Sequence, residues 1–163
     1  MTLPRRLSAA ALACAATLTL PSAAALAQPA PPPGCTGTPS ATWINVAAQG
    51  LRNGNGLLAV TLYEDKPSKF LVRHGSLYVG RVNAEAGITR MCIFVPKPGV
   101  YALALYHDEN GNRSFDRTGI GFPAEGYGFS NNPPTLAGLP SFRSVRLNIP
   151  RAGLTTRVQM KYP

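Results

Sequence analysis

The residues best suited to chemistry lie in one polar loop that follows the most apolar segment of the chain. Side chains with an oxygen atom recur there at every second position: Asp108, Asn110, Asn112, Ser114 and Asp116. EF-hand loops bind calcium through oxygen ligands at such alternate positions, with a glycine at the sixth position and a bidentate glutamate at the twelfth. The spacing predicts a candidate calcium site and names calcium as the candidate cofactor.

Two departures from that pattern leave other interpretations open. Arg113 occupies the sixth position and Gly119 the twelfth, so Glu125 would have to supply the missing carboxylate from outside the loop. Asp and Asn side chains also cap their own backbone in long connections. We therefore keep a self-capped structural loop as the main alternative to calcium, and a transition-metal or catalytic site as a lesser one.

A hydrolase is the enzymatic alternative, with general-base chemistry from His107, Asp108 or Glu125. Adjacent residues of a strand point to opposite faces, which makes a direct pair of His107 and Asp108 awkward. Ser130 lacks the Gly-x-Ser-x-Gly setting of an exposed nucleophile. We therefore expect a protein that is not an enzyme.

The segment 107–132 is too long for a simple turn, and long ordered loops are often functional. Its glycines have no following helix or Lys-Ser/Thr pair, so they do not predict a phosphate-binding loop. We expect this surface to bind an unknown ligand or envelope protein. Its aromatic residues either fold back on the edge of the domain or form a platform for an aromatic ligand. The candidate contact residues are His107, Phe122, Tyr127, Phe129 and Asn131.

The elements that position this loop show a hydrophobic period of two, which is typical of strands. Leu154–Tyr162 and Val145–Ile149 alternate apolar and polar residues and are joined by residues 150–153, which predicts a hairpin. Trp43–Ala48 and Leu57–Tyr63 flank an Asn- and Gly-rich turn, and we expect them to pair with each other.

Two further strands precede the loop. Ile88–Val95 is rich in β-branched residues, and Val100–Tyr106 is apolar on both faces, which indicates a central strand. Tyr101 follows a Pro-Gly turn and is expected to form a tyrosine corner. Residues 67–86 fit either a short helical turn or an edge strand. The pattern predicts an all-β fold, an antiparallel β-sandwich of about seven strands that is immunoglobulin-like or transthyretin-like.

The first 27 residues have the charged start, short apolar stretch and small-x-small end of a cleaved signal peptide. An uncleaved anchor and a lipoprotein acylated at Cys14 are the alternatives. Residues 28–40 form a Pro-rich, flexible leader, and 41–163 are long enough for a single domain. We expect a periplasmic or secreted protein with no membrane span after cleavage.

The exported chain would carry 14 Lys and Arg against 7 Asp and Glu, a net charge of +7. The arginines are scattered singly and are not interleaved with aromatic residues, so no specific binding of nucleic acid is expected. Two cysteines remain, Cys35 and Cys92. In an oxidising compartment two thiols of a small domain usually pair, which predicts a disulfide.

One stretch of the chain resembles a bacterial family known as domain of unknown function 2141. The resemblance depends on the Pro-Gly-x-Tyr-Ala step at 98–102, the loop from His107 to Asp116, the run 119–132 and Pro-Ser-Phe at 140–142. It covers most of residues 43–162. Members are exported single-domain proteins without an assigned activity, so the resemblance implies a location and a fold rather than a function. That family usually has Gly-Lys where this chain has Arg113-Ser114.

Overall fold

The computed structural model describes residues 29–163; the predicted signal peptide and Cys14 lie outside the described residues. The all-β prediction is confirmed, because within residues 29–163 eight strands form two sheets and helix is limited to a one-turn α1 (Phe142–Val145) and a 3-10 turn (Pro67–Lys69). The strands are β1 (Thr42–Leu51), β2 (Leu57–Glu64), β3 (Tyr78–Asn83), β4 (Gly87–Val95), β5 (Gly99–Asp108), β6 (Gly126–Phe129), β7 (Arg146–Ile149) and β8 (Leu154–Gln159).

One sheet has three strands in the order β4-β1-β8, and the other has five. In the five-stranded sheet β2 lies between β3 and β5. On its other edge, β5 pairs with both β6 and β7, at different positions along its length. The prediction that β5 is central is confirmed. The sandwich is not wholly antiparallel, since β8 runs parallel to β1.

Alternate residues of the strands fill the space between the two sheets, as the period of two requires. This interior is aliphatic and almost completely closed to solvent. Burial of so much apolar surface is the main force that holds the sheets together. Its fully buried members include Ile44, Val46, Leu58, Val60, Leu62, Ile93, Leu103 and Val158.

Both predicted hairpins are wrong. β1 pairs with β4 and β8, and β2 pairs with β3 and β5, so residues 52–56 cross between the sheets. Gly56 makes this crossing possible, because it has a φ of +65° and a Cβ there would collide with the carbonyl of Asp108. β7 pairs with β5 and β8 with β1, so residues 150–153 are a second crossing. A period of two assigns faces to strands, but it does not assign their partners.

Residues 67–86 contain both of the elements that were predicted as alternatives, the 3-10 turn and the edge strand β3. The tyrosine corner is confirmed: Tyr101 is buried and its hydroxyl donates to the carbonyl of Lys97 at 2.9 Å.

The predicted disulfide between Cys35 and Cys92 is present. Next to it, the backbone N–H of Thr36 donates to the carbonyl of Cys92, and the carbonyl of Thr36 accepts from Phe94. The second half of the Pro-rich leader is therefore joined to β4. No helix within residues 29–163 is long and apolar enough to cross a membrane.

Candidate functional site

The outer face of the five-stranded sheet, turned away from the three-stranded sheet, is also apolar but is not filled. At its centre, β2 and β5 contribute small side chains, with Thr61 directly opposite Ala104. Ala59 and Ala102 continue this row of small residues. Because these side chains are small, the surface of the sheet is low here and forms the floor of a depression.

Six aromatic rings form an arc beside this floor. Neighbouring ring centroids along the arc lie 5.2–6.4 Å apart in tilted or edge-on arrangements, which are the favoured geometries of aromatic pairs. β6 supplies two of the rings, because only its outward positions carry large side chains. In order, the arc consists of Tyr63, Phe70, Phe129, Tyr127, Phe115 and Tyr106.

Thr61 and Ala104 of the floor and every ring of the arc except Phe70 line a groove of about 280 Å³, which we call the outer-face groove. Its rim is formed by Leu71, Val72 and Leu139, which are 39%, 48% and 50% exposed. Three other surface depressions, of about 310 to 370 Å³, do not gather several aromatic rings with arginines. The outer-face groove thus combines an apolar interior with exposed apolar side chains at its mouth.

The charged groups that line the outer-face groove are both cationic. Arg73 is exposed at the rim. Arg117 lies with its guanidinium 5.0 Å from the ring centre of Phe115, and it donates to the carbonyl of Gly121. On the same face of the sheet, Arg81 donates to the hydroxyl of Tyr106. The groove is therefore complementary to a negatively charged group at its mouth.

Three of the predicted calcium residues are carboxylates that lie close enough to influence one another: Asp108, Asp116 and Glu125, which we call the carboxylate cluster. Asp108 is fully buried and accepts the backbone N–H of Arg113 on Oδ2, whereas its Oδ1 has no partner. Glu125 is 5% exposed; Oε2 accepts the backbone N–H of Asp116, and Oε1 has no partner. Two buried carboxylate oxygens are thus unpaired, which is costly for a folded protein.

Two amide side chains hold the third carboxylate. Asn110 Nδ2 and Asn112 Nδ2 donate to Asp116 at 2.8–3.0 Å. Ser114 contributes its backbone N–H, which donates to Asn112 Oδ1. Burial raises the pKa of Glu125, and the nearby charges of Asp116 and Asp108 raise it further, against the opposing effect of the backbone N–H groups of Asp116 and Glu109.

No group of three or more carboxylate, imidazole or thiol side chains within residues 29–163 is arranged to hold a metal ion. In the carboxylate cluster, the hydrogen bonds of Asp116 leave only Asp108 and Glu125 with unpaired oxygens. The self-capped hydrogen bonds that were predicted as the alternative are therefore present in the loop, but they do not satisfy all of its buried oxygens.

His107 was predicted to contact a ligand, and the structure corrects this, because the side chain is fully buried on the inner face of β5. Its Nε2 lies 2.8 Å from the carbonyl of Asn55 and donates to it, while Nδ1 accepts from the hydroxyl of Tyr162 at 2.7 Å. Both ring nitrogens therefore have hydrogen-bond partners, and the imidazole links the 52–56 crossing to Tyr162 near the C-terminus.

The adjacent surface is held by an ion pair that the sequence did not reveal. The Arg52 guanidinium donates to both carboxylate oxygens of Glu109 and lies 4.7 Å from the ring centre of Tyr162. The hydrogen bonds from Arg52, with a further one from Asn53, lower the pKa of Glu109 to about 2.

The structure separates the other predicted contact residues. Tyr127 and Phe129 line the outer-face groove, whereas Phe122 is exposed outside its lining. Asn131 donates to the carbonyls of Ser144 and Arg146, so it holds α1 and β7 in place.

Sequence reasoning missed most of the groove. Its floor was detectable, because both β2 and β5 carry small residues at alternate positions beside a fully apolar face. The walls were not, since they come from segments far apart in the chain. The missed lining residues are Thr61, Tyr63, Leu71, Val72, Arg73, Ala104, Leu105, Tyr106, Phe115, Arg117, Gly138 and Leu139.

The fold and this site define a class of protein: an all-β sandwich with a groove on one outer face and a long loop at its edge. The chain belongs to a family described as "uncharacterized protein conserved in bacteria", DUF2141, whose model matches residues 46–157. The match includes β2 and β5, which form the floor, together with the carboxylate cluster and β6. No curated protein and no solved structure matches the chain.

Proposed function

We propose that this chain is a non-enzymatic binding module, exported to the periplasm or secreted, whose outer-face groove takes a small apolar or aromatic molecule with an acidic group. The observation that carries the proposal is the pairing of a floor of small residues with an arc of aromatic rings. Concave, mostly apolar sites with a few polar groups are the usual form of small-molecule sites.

The size of the groove limits the ligand. At about 280 Å³ it lies just below the usual range for ligand pockets, about 300–1,000 Å³, which favours a single ring system or a short acyl chain. Aromatic walls favour a flat, apolar group through stacking and edge contacts.

The positive charge at the mouth of the groove favours a ligand with an acidic group. Arg73 and Arg117 line the mouth of the groove, and no Asp or Glu does. An arginine recognises a carboxylate or sulfonate through charge-assisted hydrogen bonds. The exposed rim of Leu71, Val72 and Leu139 supports the same assignment, because contiguous exposed apolar side chains mark binding sites.

Binding rather than catalysis is supported by the state of two side chains that hydrolase chemistry could use, His107 and Ser130. Both ring nitrogens of His107 are engaged in the interior. Ser130 is fully buried, and its hydroxyl donates to the carbonyl of Val145. Neither side chain reaches the outer-face groove.

The proposal is tested by NMR titration of the ¹⁵N-labelled protein with naphthalene-2-sulfonate as the probe and neutral 2-naphthalenemethanol as its uncharged match. We expect shifts centred on β5, β6 and residues 71–73, with tighter binding of the sulfonate. Arg73→Ala should weaken sulfonate binding by about two- to fivefold, as for a partly exposed ion pair. Arg90→Ala, on the exposed side of β4, is the matched control and should have no effect.

Two outcomes would count against the proposal. Shifts confined to the three-stranded sheet would place any binding site elsewhere. Equal affinity for the charged and neutral probes, or an equal loss with Arg90→Ala, would remove the acidic group from the description of the ligand.

A further inference from the structure

We infer that the carboxylate cluster is a binding site for a hard divalent cation of the calcium type, with the unpaired oxygens of Asp108 and Glu125 as its anchoring ligands. This inference is independent of the outer-face groove and of what binds there. It depends on which buried oxygens have partners and which do not.

The first argument is the unpaired oxygens themselves. Asp108 is fully buried and Glu125 nearly so, and each satisfies one carboxylate oxygen with a backbone N–H while the other has no partner. The hydrogen bonds of the loop therefore orient both carboxylates without neutralising them. A buried carboxylate normally has a cationic or hydrogen-bonding partner for its remaining oxygen.

The second argument is the distribution of positive charge. Three of the seven acidic residues, Glu64, Asp65 and Glu109, form ion pairs with Lys66, Arg146 and Arg52. None of the carboxylates of the cluster has a Lys, Arg or His partner within the described chain, although basic residues outnumber acidic ones twofold. The folded cluster concentrates negative charge without a counter-charge from the protein.

The third argument is the shape of the loop. Arg113 has a φ of +63°, so it adopts the left-handed backbone for which calcium loops use glycine at the sixth position. Its N–H holds Oδ2 of Asp108, which leaves Oδ1 free for a cation. Calcium takes oxygen ligands from carboxylates, amides, carbonyls and water, so ligands other than carboxylates can complete a site anchored by Asp108 and Glu125.

Because Asp116 stays bound to Asn110 and Asn112, the protein ligand set is incomplete and the affinity should be low. We expect a Kd in the weak extracellular range of about 10⁻⁴–10⁻³ M. Calcium should be favoured over magnesium, because an incomplete, irregular site does not offer the octahedral geometry that magnesium demands.

The test is calorimetric titration of CaCl₂ and MgCl₂ into the chelator-stripped protein, with thermal melts in calcium and in EDTA. Asp108→Asn and Glu125→Gln keep the acceptor oxygens for Arg113 and Asp116 while removing one charge each. Each should weaken calcium binding at least about tenfold and remove the calcium-dependent rise in Tm. Asp65→Asn, a remote carboxylate paired with Arg146, is the control and should bind calcium like the unmodified chain.

The inference is overturned if the unmodified protein gives no heat and no Tm rise at 10 mM calcium, a concentration about tenfold above the weak limit. It is also overturned if both cluster variants bind calcium as the control does. A third result would also overturn it: no calcium effect in any variant, together with a higher Tm of Glu125→Gln than of the unmodified protein in EDTA. That result would show that protonation, rather than a bound cation, neutralises the cluster.

Discussion

The two faces of the five-stranded sheet are built from alternate residues of the same strands, yet one is closed and the other open. On the inner face, β2 and β5 present large aliphatic side chains, such as Leu62 and Leu103, which meet the opposite sheet. On the outer face the same strands present Thr61 and Ala104, beside which aromatic rings leave a groove. The difference shows that side-chain size, rather than hydrophobicity, determines which apolar face is filled.

A large change in stability should come from the disulfide, which lies on the other sheet. It closes 57 residues of sequence, so replacing Cys35 and Cys92 with serine should lower the free energy of unfolding by up to about 4 kcal/mol. Below the lowered Tm, probe binding in the outer-face groove should not change. Urea unfolding and a naphthalene-2-sulfonate titration of the double variant check both parts; loss of binding in the folded variant would show that the groove depends on the opposite sheet.

A leucine on each face offers a direct test of the difference between them. Leu103→Ala should cost about 2–5 kcal/mol, because it leaves a cavity in a closed layer. Leu139→Ala, at the half-exposed rim of the groove, should change stability by less than about 0.5 kcal/mol. Urea unfolding of both variants measures these values. Similar losses would mean that the outer face is packed as tightly as the inner one.

A small, pH-dependent effect should come from the ion pair between Arg52 and Glu109. The pKa of Glu109 falls to about 2 in the folded protein, so its contribution is present above the ordinary pKa of 4.5 and is lost as the pH falls toward 2. Since Arg52 is exposed, we expect Glu109→Gln to cost less than about 1 kcal/mol at pH 7.

The measurement is the stability difference between Glu109→Gln and the unmodified chain from pH 7 to pH 3, in chelator so that the carboxylate cluster does not contribute. The difference should shrink below pH 4.5. A difference that is constant over this range would assign the effect to the hydrogen bond from Asn53 rather than to the charge of Glu109.

Sequence alone predicted the fold class, the disulfide, the central position of β5 and the tyrosine corner, because each depends on local pattern or local turn chemistry. It failed for strand partners: the Asn- and Gly-rich turn at 52–56 looks like a hairpin turn, but it carries the chain between sheets.

The candidate site was predicted only in part. Tyr127 and Phe129 were expected to contact a ligand and line the groove. His107 was also expected at the surface, although its position in β5, two residues after Leu105, puts it on the inner face. The walls at 71–73 and 139 could not be found, since only the folded chain brings them together.

The central claim, that the outer-face groove is a binding site, is tested most directly by filling it. Ala104→Leu places a large side chain on the floor opposite Thr61, while Thr155→Leu adds the same side chain at an exposed position of β8. Both variants are melted and then titrated with naphthalene-2-sulfonate. We predict that both stay folded at the titration temperature and that only Ala104→Leu loses binding. Unchanged probe affinity in a folded Ala104→Leu variant would contradict the account.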